Sequence, residues 1–266
     1  KIQSLHGYNL GAVSAMPQNG SGLHSHTTAE VFLIYSGKWR FYWGAEGKNE
    51  TILNTGDIIS MPTNMFRAFE NAGDHESLMF VVLGGDNPGT ITWVPEILNR
   101  AKETGMALLD DNSLIDLKET SVPNGRKIIE PISLSELEKF DNYLPNELEK
   151  NIYRKDGKNN PNDQINNIEI YQILGDTFNS KNYNPSISQN TGFNLTILKS
   201  KIGKIENIEC LKPTTLFAQC GFWEIKINDI NIRLEKGDTF SVPVNNKISI
   251  LCNNLDDSIL NFVSQI

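Results

Sequence analysis

Apolar and aromatic residues gather in short runs over residues 8–90, broken by Gly, Asn and Pro. The runs Glu30–Tyr35, Trp39–Trp43, Asp57–Met61, Phe66–Glu70 and Leu78–Leu83 are dominated by aromatic and β-branched side chains. Ser36-Gly37 and Gly44-Ala45-Glu46-Gly47 supply turns between them. Short strands at roughly 8–12-residue spacing predict an all-β sandwich or barrel. The pattern changes after the Gly84–Gly89 segment. Val94–Glu103 has helical spacing, with Pro95 near its start and Gly105 as a stop. Ser133–Tyr143 predicts a second helix, with Ser133 or Ser135 as N-cap and Pro145 closing it. Residues 144–167 are polar and Asn-rich, the composition of a loop or linker. Strand character returns in Ile168–Leu174, Phe193–Lys199, Phe222–Asn228, Ile230–Leu234, Thr239–Val242, Ile248–Leu251 and Ile259–Val263.

A β, helical, β layout invites a search for a repeat. Gly56-Asp57-Ile58-Ile59-Ser60-Met61-Pro62 matches Gly237-Asp238-Thr239-Phe240-Ser241-Val242-Pro243, an offset of 181 (237 minus 56). Ser36-Gly37-Lys38-Trp39 matches Cys220-Gly221-Phe222-Trp223, an offset of 184 (221 minus 37). Nearly equal offsets predict a duplicated β domain. The chain then divides into residues 1–90, a connection over 91–165, and a second β domain over 166–266.

Composition narrows the partners. The 266 residues hold 24 Lys+Arg against 32 Asp+Glu, a net charge of −8. That argues against nucleic acid or an anionic membrane surface, which select for a basic face. No apolar run approaches the roughly 20 residues of a membrane span. The first residues lack the apolar stretch of a signal peptide. Cys210, Cys220 and Cys252 are sparse and form no C-x-x-C pair, which fits reduced thiols and a cytoplasmic setting.

The densest cluster of ligand-type residues is His24-Ser25-His26-Thr27-Thr28-Ala29-Glu30. His24, His26 and Glu30 share parity, so on one extended strand all three leave the same face. Two imidazoles and a carboxylate suit Fe(II), Mn or a related divalent ion and leave positions open for substrate. A surface His-x-His beside an unrelated Glu is the alternative. The spacing around the cluster is more informative. His24-x-His26-x3-Glu30-x6-Gly37 is followed by Gly56-x5-Pro62 and by Asn71 nine residues later. This resembles the two signature motifs of the cupin superfamily, and with the repeat the whole chain resembles a bicupin. The resemblance implies an all-β fold of two jelly-roll barrels joined by a short helical connection.

By that resemblance His24, His26 and Glu30 fall on three of four usual metal ligands, implying a divalent metal cofactor. Fe(II) is favoured, with Mn, Ni or Zn as alternatives. The fourth ligand, usually His, falls on Arg67. Asn64 and Gln18 replace two glycines of the motifs. In the second repeat the three ligand positions fall on Ile208, Cys210 and Thr214, so only the N-terminal barrel is expected to bind metal. The resemblance implies an enzyme, a dioxygenase-type oxidoreductase acting on a small anionic organic molecule. A non-catalytic ligand-binding or regulatory bicupin and a cupin isomerase or lyase are the alternatives. Cupins often pair through sheet edges, which suggests a homodimer.

Strand parity in Arg67-Ala68-Phe69-Glu70-Asn71 sets Arg67 and Phe69 against Glu70, so Arg67 is expected to point inward. An inward Arg67 either anchors an anionic substrate through its fork or pairs with Glu30 in place of a metal. An outward, structural Arg67 is the third possibility. Phe32 and Phe69 share parity with the proposed ligands and Arg67, so they are expected to line the substrate pocket. His75 lies in a Gly/Asp turn and is expected to be exposed, while His6 carries no functional signal.

Overall fold

The computed structural model describes residues 5–87 and 89–266. Residues 8–93 contribute nine strands: β1 (Tyr8–Ala15), β2 (His24–His26), β3 (Glu30–Ile34), β4 (Lys38–Trp43), β5 (Asn49–Asn54), β6 (Ile58–Met61), β7 (Arg67–Asn71), β8 (Ser77–Gly84) and β9 (Ile91–Trp93). They form two antiparallel sheets that face each other. One has the order β1-β8-β3-β6, extended by a short strand Ile152–Tyr153, and the other the order β5-β4-β7-β2-β9. Phe32, Ile34, Trp39, Phe41, Met61, Phe69 and Val81 belong to the core they enclose.

The alternation of side chains explains why β3 reads as an unbroken apolar run. Phe32 and Ile34 join the core of this barrel. Val31 and Leu33 point the other way, into a second core shared with Tyr171, Ile173, Leu195, Ile197 and Val263 of the C-terminal half. A strand covered on both faces has no polar side to show. Hydrogen bonds cross the same seam, from the Tyr8 hydroxyl to Thr215 Oγ1 (2.8 Å) and to the Val263 carbonyl (3.1 Å).

The C-terminal barrel is one large sheet in which strands Phe193–Cys210 and Asn246–Gln265 pair along most of their length. The sequence pattern breaks the second of these into Ile248–Leu251 and Ile259–Val263, and it ends the first at Lys199. In the structure both are continuous. Their register shifts between Ser200 and Ile202, where Asn254–Asp257 have no opposing residues. This polar bulge bends the pair without ending it.

The duplication holds at the level of register. Glu30 lies opposite Met61 and Leu83, and Thr214 lies opposite Val242 and Ser264. His24 lies opposite Arg67, and Ile208 opposite Ile248. The turns repeat as well. The Gly56 amide donates to the Ile34 carbonyl and that of Gly237 to the Ala218 carbonyl, both at 2.8 Å. Gly37 and Gly221 adopt φ of 81° and 72°. A Cβ on either would stand 1.9 Å from a serine hydroxyl, Ser77 or Ser258, so both positions require glycine.

The helical connection departs from expectation in two places. The helix Pro95–Thr104 forms and is stopped by Gly105 in the left-handed region, φ 86°. The second predicted helix shrinks to one turn, Leu134–Leu137, held by a Ser133–Glu136 capping box. None of its residues is buried, so no packed face extends it. Residues 144–167 are more ordered than their composition suggests. They form a turn of helix (Pro145–Leu148), strand Ile152–Tyr153 against β6, and edge strand Asp163–Ile165. Leu148 and Tyr153 are the buried anchors among these polar residues. Among the described residues no helix is long and apolar enough to cross a membrane.

Leu33 belongs to the shared core and is 2% exposed. Leu33→Ala is expected to cost about 2–5 kcal/mol. Because the lost contacts lie between the barrels, both should unfold at lower urea in a single transition followed by tryptophan fluorescence.

Candidate metal centre

The barrel brings His24, His26 and Glu30 together, though not by the route that parity implied. They do not share a strand. His24 and His26 lie on β2, in one sheet, and Glu30 opens β3, in the sheet that faces it. The turn Thr27–Ala29 carries the chain across the barrel, so the two imidazoles and the carboxylate converge from opposite walls. One ligand atom from each lies within 4.8 Å of the others, and all three residues are buried. His26 Nε2 stands 3.7 Å from Glu30 Oε1. Among the described residues this is the one cluster of three or more His, Cys, Asp or Glu that could hold a metal ion.

Local contacts prepare these groups for that role. His24 Nδ1 lies 2.7 Å from the Gly22 carbonyl, which can only accept, so the ring proton sits on Nδ1 and the Nε2 lone pair is available. Burial pushes the His24 pKa down to about 4, against the opposing pull of Glu30, so the ring is neutral at pH 7. Glu30 divides its oxygens. Oε2 accepts a 3.0 Å bond from Arg67 Nε, and Oε1 faces His26.

Arg67 is 0% exposed and points inward, as parity predicts. Its Nη1 donates to the Met65 carbonyl at 3.1 Å, while its Nη2 is buried with no hydrogen-bond acceptor. Burial lowers the Arg67 pKa and Glu30 opposes the shift. The guanidinium remains charged, given its high ordinary pKa. Arg67 and Glu30 therefore offset one another, and the neutral His24 ring adds no charge. A divalent ion would add two positive charges in a buried setting.

Phe32 and Phe69 lie two residues beyond Glu30 and Arg67, on the same inward faces. Their rings are 5.3 Å apart, and both pack against Phe41. His75 is exposed and paired with Asp74 at 2.6 Å, well apart in role from the cluster. His6 is buried rather than idle, its Nε2 2.7 Å from Ser241 Oγ in the other barrel. Sequence reasoning also passed over Trp93. It lies opposite His24 on β9, with ring centroids 5.2 Å apart. The short strand Ile91–Trp93 before Pro95 was the available signal.

The equivalent positions of the second barrel are Ile208, Cys210, Thr214 and, opposite Ile208, Ile248. All four are at most 2% exposed. Burial pushes the Cys210 thiol up to about 11, so it is not a thiolate. Ile208, Cys210 and Ile248 belong to a hydrophobic core there.

Residues 12–84 match the cupin domain family. No curated protein matches the chain at a significant level. Solved structures match over nearly all of it. Oxalate decarboxylase from Lactobacillus farciminis, in a formate complex, is 16% identical with a TM-score of 0.60, over 98% of this chain and 78% of that one. Salicylate 1,2-dioxygenase from Pseudoaminobacter salicylatoxidans, in an adduct with gentisate, is 13% identical with a TM-score of 0.57, over 97% and 68%. The 7S globulin of Momordica charantia is 14% identical with a TM-score of 0.59, over 98% and 74%. At these identities the likeness is one of fold, and the fold carries enzymes and a globulin alike.

The depressed His24 pKa has a measurable sign. Between pH 6.5 and about 4 the unfolded chain takes up a proton that the folded ring refuses. Stability should fall as the pH drops through that window and level off below it. Urea denaturation at pH 7 and pH 5 with a chelator present checks this, and His24→Gln should flatten the difference.

Proposed function

We propose, for a chain that is a two-barrel member of the cupin superfamily, that its N-terminal barrel is a mononuclear metal centre for oxidation of a small organic anion. His24, His26 and Glu30 would hold the ion, with Fe(II) favoured and Mn, Ni or Zn as alternatives. The observation that carries this is Arg67, fully buried beside the three ligand groups with its Nη2 amino group unpartnered. Two imidazoles and a carboxylate fit Fe(II) and leave more than one coordination position open. A bound ion would supply Lewis acidity and, if iron, redox capacity at those positions.

The chain's own residues would do the rest. Gly22 fixes the tautomer of His24, and Arg67 Nε fixes the orientation of Glu30 by holding one oxygen. The unpartnered Arg67 Nη2 would anchor the anion, whose charge offsets the excess that a divalent ion brings. Phe32 and Phe69 would form an apolar floor that keeps water from the reacting end of the substrate. In this reading residues 1–90 carry the centre, 166–266 buttress it, and 91–165 join the two.

One observation favours a second reading. The Arg67–Glu30 pair already balances the charge of the site without a metal, which suits a non-catalytic ligand-binding module. Metal content separates the readings. Chelator-stripped protein should take up one Fe(II) per chain, measured by elemental analysis, and His24→Ala or Glu30→Gln should abolish the uptake. Two tightly held ions per chain, or none, would overturn the assignment. Arg67→His should tighten metal binding by adding a ligand. With iron bound, oxygen-electrode traces should show uptake with a subset of small carboxylates. Turnover without oxygen uptake would move the activity to a lyase or isomerase.

A further inference from the structure

Arg67, His24 and Trp93 form a row across one sheet. His24 lies directly opposite Arg67 on β7 and directly opposite Trp93 on β9. Side chains of directly opposed residues project from the same face and neighbour one another. At each end of the row is a buried donor without an acceptor: Arg67 Nη2 and Trp93 Nε1. Folded proteins rarely leave such groups unsatisfied, and an unfilled pair beside a ligand cluster points to a guest. Two of the other indoles differ, since Trp39 Nε1 donates to the Ser36 carbonyl and Trp43 Nε1 to the Tyr143 carbonyl.

The chemistry of the two groups defines the guest. Guanidinium and indole N–H groups only donate. The part of the ligand between them must only accept. An ionised carboxylate does so through both oxygens, whereas a carboxamide would set its own N–H against one of these donors. The backbones of β7 and β9 stand two strand spacings apart, about 9.5 Å. Two N–H···O bonds of about 2.9 Å and the oxygens of one carboxylate can span a gap of this order.

We propose that Arg67 and Trp93 are the two arms of a carboxylate clamp astride His24, and that the ligand of this barrel is therefore a carboxylic acid bound in its ionised form. This rests on the reading of Arg67 as anion anchor. It adds Trp93 as a specificity residue and names the group held.

The test is equilibrium binding by calorimetry, with acetate, benzoate and oxalate as probes and benzamide as the neutral control. Wild type, Trp93→Phe, Arg67→Gln and the double variant are compared, each with and without metal. Trp93→Phe keeps an aromatic ring against His24 and removes the N–H donor together with part of the ring volume, so the wild-type Trp93 resonance serves as the readout that does not depend on volume. The substitution should weaken carboxylate binding about three- to tenfold and leave metal affinity unchanged. Arg67→Gln should weaken it ten- to a hundredfold. Because both hold one group, the double variant should lose less than the product of the two. Benzamide should bind weakly throughout. A second measurement uses the wild type itself. Of the four indole N–H resonances, the one missing in Trp93→Phe should move on adding the carboxylate. That of Trp223, also without an acceptor but in the other barrel, should stay in place. Unchanged carboxylate affinity in Trp93→Phe, or a stationary Trp93 resonance, overturns the clamp. The Arg67 reading then survives if Arg67→Gln still weakens binding. Unchanged affinity in both variants, or no binding of any of the three carboxylates, overturns both.

Discussion

The N-terminal barrel turns on one buried ion pair. Glu30 opens a strand of one sheet, Arg67 opens a strand of the other, and their 3.0 Å contact ties the two walls together. Neither charge is exposed enough for water to replace the partner. Removing one side of such a pair strands the other, at a cost of about 3–5 kcal/mol. The pair also fixes what else fits. With Oε2 bonded to Arg67, Oε1 is the Glu30 oxygen that faces His26. Structure and chemistry therefore share one carboxylate, and substituting Glu30 disturbs both.

The two barrels separate what a fold needs from what a site needs. The turn geometry survives in both copies, down to matching backbone bonds and a glycine pressed against a serine. Those features are set by backbone sterics, and a residue with a Cβ cannot take the place of either glycine. The four site positions are free of that demand. In the second copy Ile208, Cys210, Thr214 and Ile248 fill the space with buried, largely apolar side chains. Close packing is stable without any charge to balance, so this barrel stands without the site.

Much of this was legible in the sequence because it is local or periodic. The short strands, the Gly105 stop, the repeat and the inward Arg67 all follow from spacing, parity or turn chemistry. The three ligand-type residues are legible too, but parity on a single strand is the wrong reason for their convergence. The chain crosses between sheets at Thr27–Ala29. Trp93 escapes notice because its importance comes from lying opposite His24, which only non-local pairing reveals. The run 144–167 misleads through composition: two buried residues, Leu148 and Tyr153, outweigh the many polar ones around them. The 20-residue strand Asn246–Gln265 reads as two because a polar bulge looks like a turn when its partner strand is unknown.

Burial of β3 on both faces has a consequence for the protein as a modular object. Val31, Leu33, Ile58 and Val82 of the N-terminal barrel meet the other barrel directly. Cut free of its companion, the N-terminal barrel would present an apolar sheet face to water. Patches of that kind drive self-association. The site-bearing barrel therefore has little autonomy, although its ligand cluster is complete within its own strands. The barrel without such a cluster acts as an intramolecular solubiliser: it keeps the strand that begins at Glu30 out of reach of other molecules.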